Sequence, residues 1–73
     1  MGYEYARIFG RNINQQLNNQ GIDIGEFADY MGFKFEDVML LLDGRLKLSL
    51  QEMNKIAEFL GVNVMELGKN KVR

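Results

Sequence analysis

Seventy-three residues, 8.4 kDa in all, leave room for one domain built on one thin core. A hydrophobic fraction of 47% with 26% charged residues suits a folded globular chain and argues against disorder. The absence of cysteine excludes disulfides and thiolate metal sites, and the absence of histidine removes the commonest metal ligand and the commonest general base.

No cofactor is therefore expected. The longest purely apolar run covers residues 38–42, far short of the roughly 20 residues needed to span a bilayer. No basic-then-apolar signal pattern opens the chain, so the expectation is a soluble cytoplasmic protein with no membrane partner. Met1 at the start gives the expectation of a complete protein, and the small core that of a dimer. The net charge of −1 hides a split. Between residues 23 and 43, six acids face Lys34 alone, giving −5, whereas the flanks hold eight cations against four acids, giving +4.

Proline is absent and the chain reads as helices cut by glycine. A helix-start signature recurs at Ile22-Asp23-Ile24-Gly25-Glu26-Phe27, at Leu48-Ser49-Leu50-Gln51-Glu52-Met53 and at Val62-Asn63-Val64-Met65-Glu66-Leu67. In each, a capping side chain can accept from first-turn N–H groups. An acid three residues on can reach back to the cap, and two apolar residues can staple the entry. A fourth start, Phe33-Lys34-Phe35-Glu36-Asp37-Val38, keeps the staple and the acid but puts Lys34, which has no acceptor, at the cap. Gly21, Gly32, Gly44 and Gly61 are placed to end helices in the left-handed conformation.

The expected helices cover residues 3–19, 24–31, 35–43, 50–60 and 64–69. Ala6, Phe9, Ile13 and Leu17 make one apolar stripe, Phe27, Ala28 and Met31 a second, and Leu50, Met53, Ile56, Ala57 and Leu60 a third. The first helix is rich in amides, from Asn12 to Gln20, which read as a polar solvent face. Tyr3, Tyr5 and Tyr30 read as core-rim residues.

The second and third expected helices are joined by Gly32-Phe33-Lys34, the spacing of a helix-turn-helix at about residues 24–43. Together with Gly21-Ile22-Asp23, Phe27-Ala28, Met31-Gly32-Phe33, Val38, Gly44, Ser49-Leu50, Ile56-Ala57, Leu60-Gly61-Val62 and Glu66-Leu67, the chain resembles the Cro/lambda-repressor-type (XRE) helix-turn-helix family. The likeness runs from about residue 8 to residue 67, and the stretch Ile56-Ala57-Glu58-Phe59-Leu60-Gly61-Val62 is its most distinctive part. It implies a compact five-helix, all-α, lambda-repressor-like domain filling the chain, and sequence-specific binding of double-stranded DNA as a homodimer. By the same resemblance Lys34, Phe35, Glu36, Asp37, Met39 and Leu40 lie where the family reads DNA. Arg45 and Lys47 lie in the loop that follows the phosphate backbone.

The chain departs from the family in that reading layer. Ile24 stands where a glutamine usually touches phosphate, and Lys34, Phe35, Glu36 and Asp37 replace small polar residues. Met39 and Leu40 replace serine and arginine, and Leu42 a glutamate. A wheel centred on Val38 turns Leu41, Leu42 and Phe35 inward, within about 60°, and leaves Glu36, Leu40 and Asp43 outward with Met39 and Asp37 on the shoulders. Carboxylates on that face oppose the phosphate field, although one can accept from cytosine N4.

Two functions stay open. One is a dimeric DNA-binding transcriptional regulator, helped by a basic tail at residues 69–73. The other is the same fold with Phe35, Met39 and Leu40 turned into a contact for another regulatory protein, without sequence-specific DNA binding. Catalysis is not expected: Glu36 and Asp37 are helix neighbours that do not face each other, and no phosphate loop or calcium-loop spacing occurs.

Overall fold

Capping chemistry and glycine cut the chain into α1 (Gly2–Gln20), α2 (Ile24–Met31), α3 (Phe35–Leu42), α4 (Leu50–Leu60) and α5 (Val64–Leu67). The computed structural model describes residues 2–69, with side-chain surroundings for residues 4–69, and no strand occurs among them. The expected side-chain position of Tyr3 and the tail cations Lys71 and Arg73 lie outside these bounds. No helix among the described residues is long and apolar enough to cross a membrane.

The start of α4 is closed by a complete capping box. Ser49 Oγ accepts from the Glu52 N–H at 3.1 Å, and Glu52 Oε1 accepts from the Ser49 N–H at 2.8 Å. Asn63 Oδ1 accepts from the Met65 N–H at 2.9 Å to open α5. Asp23 departs from expectation: it precedes α2 in extended backbone, but its side chain makes no cap hydrogen bond. Gly21, Gly32, Gly44 and Gly61 all take positive φ, as their places after the helices require.

The helices form a compact all-α domain of Cα radius of gyration 11.1 Å. α1 packs on α3 and α5, α2 on α3 and α4, and α4 on α5. One cluster joins Phe9, Ile13 and Leu17 of α1 to Phe27, Ala28 and Met31, to Val38 and Leu41, and to Ile56, Ala57 and Leu60, closed by Leu67. Each large aliphatic or aromatic side chain buried there contributes about 1.5–3 kcal/mol relative to exposure. Leu50 leaves the predicted stripe: it is 70% exposed and Met53 only half-buried. Leu50 is the first residue of α4, beside its cap, and the fully buried face of the helix begins only at Ile56.

α1 also supplies polar ties that its amide-rich sequence conceals. Asn12 is only 3% exposed, not solvent-facing, and its Nδ2 donates to the carbonyl oxygens of Leu67 at 2.8 Å and Lys69 at 2.7 Å. Gln20 Nε2 donates to the carbonyl of Leu60 at 2.8 Å. These amides satisfy carbonyls at the ends of α5 and α4 that the helices themselves leave without partners.

Tyr5 and Tyr30 sit at the rim as expected. The Tyr5 hydroxyl donates to Met53 Sδ at 3.6 Å. The Tyr30 ring lies 4.5 Å from that of Phe59, with Lys55 Nζ 5.4 Å from its centre.

Candidate nucleic-acid interface

α2 ends at Gly32, whose φ of 73° lets its own N–H and that of Phe33 bond back to Asp29 and Ala28. Phe33 packs half-buried against the core, and Lys34 then leads into α3. This short turn and the α2–α3 packing make a pair of short helices joined by a tight turn. Val38 and Leu41 anchor α3 inward and are fully buried.

The cap of α3 is one-sided. Lys34 offers no acceptor, but its backbone N–H donates to Asp37 Oδ2 at 3.2 Å. Asp37 is thereby turned back onto the helix start and is half-buried. One of the three acids on or beside α3 therefore serves the backbone. Glu36 stays exposed, and Asp43 lies 3.6 Å from Arg45 in an exposed, weak ion pair.

Phe35 is a correction to the wheel. It is 61% exposed rather than inward. Side chains on a helix lean toward its N-terminus, so the first residue of α3 projects past the packed turn while Phe33 and Val38 fill the space below. Met39 and Leu40 face outward as expected, at 38% and 40% exposure. Leu42 and Ile24 are half-buried against the core. Ile24, placed where the resemblance puts a phosphate contact, is thus a packing residue. The outer face of α3 carries three partly exposed apolar side chains beside one exposed glutamate.

Exposed cations bracket this face. Lys34 stands before α3, and Arg45 and Lys47 follow it. Lys47 also lines an apolar groove with Tyr5, Phe9, Leu41, Leu48 and Met53. Lys69, the first cation of the expected basic tail, pairs with Glu66 Oε2 at 3.2 Å.

Two residues of this region escape a linear reading. Gly10 is buried where α1 crosses the end of α3, and a Cβ there would fall on the carbonyl oxygen of Leu41. Its spacing of four from Ala6, small residue to small residue, is the one signal the sequence offers. Arg7, one turn earlier and exposed, reaches the loop after α3; it lines a groove with Leu40, Asp43, Gly44 and Arg45. Nothing in the sequence pairs Arg7 with residue 45, because only the crossing of α1 and α3 joins them.

Among known proteins, no family model and no curated sequence matches this chain.

Proposed function

We propose that this protein is a small helix-turn-helix regulator that binds double-stranded DNA, of the Cro/lambda-repressor type, acting as a homodimer. The observation that supports this reading is the placement of an exposed α3 between Lys34 on one side and Arg45 and Lys47 on the other. In this reading the three cations neutralise phosphates and set the register of α3 in the major groove. Glu36 accepts from cytosine N4, and Phe35, Met39 and Leu40 lie against thymine methyl groups. Asp37 is held by the backbone and takes no part in readout. Exposed Leu50 and Met65 provide apolar surface that a dimer would cover. Selection from a random duplex pool tests the proposal: enrichment of a two-fold-related motif supports it, and recovery of no enriched sequence opposes it.

A second reading rests on one specific observation, the grouping of exposed Phe35, Met39 and Leu40 on a single helix. An apolar cluster rimmed by charge fits a protein partner, and methionine adapts to irregular surfaces. In that reading the fold acts on another regulatory protein and has lost sequence-specific DNA binding.

A further inference from the structure

The close approach of α1 to the loop after α3 brings two arginines to one groove. Gly44 has a φ of 77°, and a Cβ on it would stand 2.7 Å from Arg7 Cα and against the Arg7 stem. The loop backbone therefore rests directly on Arg7. Arg45 is the next residue, and the two side chains line the groove together with Leu40, Asp43 and Gly44. Arg7 makes no ion pair among the described residues. Arg45 engages Asp43 only through one nitrogen at 3.6 Å, in a pair open to solvent and easily exchanged.

At this end of α3 the carbonyls of Leu40 and Leu41 accept from the N–H groups of Arg45 and Gly44 at 2.9 and 3.1 Å, and the negative end of the helix dipole holds the arginines as it opposes an anion. Two planar guanidinium groups at one groove match the oxygens of a phosphate better than they match any neutral ligand.

We propose that Arg7 and Arg45 form a phosphate-binding pair across Gly44, and that the phosphate they hold is one of the DNA backbone. This rests on the DNA-binding reading and extends the contact surface from the helix-turn-helix onto α1. Asp43 is the opposing charge inside the site. It weakens the hold on phosphate and competes for Arg45.

The test has two arms on the full chain. In the first, inorganic phosphate is titrated while the backbone amide signals of Gly44 and Arg45 are followed by NMR. In the second, the salt dependence of duplex binding is measured. Arg7→Met keeps the stem that packs on Gly44 and removes the charge; Arg7→Lys restores a cation, and circular dichroism checks that both are folded. The expected result is that phosphate moves both amides, that Arg7→Met and Arg45→Met each weaken phosphate binding by about tenfold or more, and that Asp43→Asn tightens it. Arg7→Met also lowers the duplex salt slope by about one unit, Arg7→Lys recovers much of it, and Lys55→Ala leaves phosphate binding unchanged.

Phosphate binding indifferent to Arg7→Met, with duplex binding and its slope intact, overturns the pair and leaves the regulator reading standing. Phosphate binding that needs both arginines, without any duplex binding, overturns the regulator reading and the assignment of DNA as the source. Absence of phosphate-induced shifts in the folded wild-type protein overturns the site itself.

Discussion

The side-chain amide of Asn12 spans from α1 to the carbonyl oxygen of Leu67, 2.8 Å away, and fastens the last helix to the first. The same amide reaches Lys69 at 2.7 Å, so one buried polar group closes the end of α5. A helix of four residues cannot hold itself, and Asn12 supplies what its own hydrogen bonds lack. Replacing Asn12 by Ala removes both bonds and leaves the buried carbonyl of Leu67 unpaired. The expected cost is about 1–3 kcal/mol, seen as a fall in melting temperature of about 4–8 °C for each kcal/mol in a domain of this size. Asn12→Asp should cost more, since an unprotonated carboxylate would face two carbonyl oxygens.

Gly10 and Gly25 predict opposite outcomes for the same change. Alanine at Gly10 would drive its Cβ into the Leu41 carbonyl and pry α1 from α3. A loss of about 1–3 kcal/mol is expected. Alanine at Gly25, in the first turn of α2, meets only the exposed Asp23 carboxylate at 3.0 Å, which is free to swing away. There the gain in helix propensity should stabilise the protein by about 0.5–1 kcal/mol. Chemical denaturation of the two variants checks both signs.

The caps should also separate. Ser49→Ala breaks the capping box of α4 and should cost about 1 kcal/mol. Asp23→Ala should cost less than about 0.5 kcal/mol, because its side chain makes no cap bond and what remains is its attraction to the helix dipole. Equal losses in paired thermal melts would mean that Asp23 caps α2 after all.

The apolar patch on α3 distinguishes the two functional readings. Met39→Asp with Leu40→Lys changes two outward side chains that lie outside the buried core cluster, so far-ultraviolet circular dichroism should be unaltered. If the patch is a protein or self-association surface, sizing should show that association lost. If it lies on thymine methyls, the variant should keep its size and lose preference among duplexes.

Much of the architecture is legible in the residues because it is local. Ser49-to-Glu52 chemistry, the left-handed glycines and the 3–4 spacing of Phe9, Ile13 and Leu17 act within a few residues, and the helices start where those signals place them. What failed depends on tertiary neighbours. A wheel assigns angles but not the end of a packed face, so Phe35 and Leu50, each the first residue of its helix, turn out exposed. The amides of α1 suggest solvent, yet Asn12 is buried by a carbonyl cluster 55 residues away in the chain. In the candidate interface, Met39 and Leu40 stand outward as their spacing on the helix suggests, and Lys34 and Arg45 are exposed on either side of it. Arg7 joins them only through the bare backbone contact between α1 and Gly44.

The measurement that bears most directly on the account is the equilibrium affinity of the purified protein for its selected duplex between about 50 and 200 mM salt. With Lys34, Arg45 and Lys47 on phosphates, log affinity should fall against log salt with a slope of about −3 per protomer or steeper. Arg45→Ala and Lys47→Ala should each flatten it by about one unit. A flat salt dependence, or slopes unmoved by both substitutions, would contradict phosphate recognition by this face and with it the DNA-binding account.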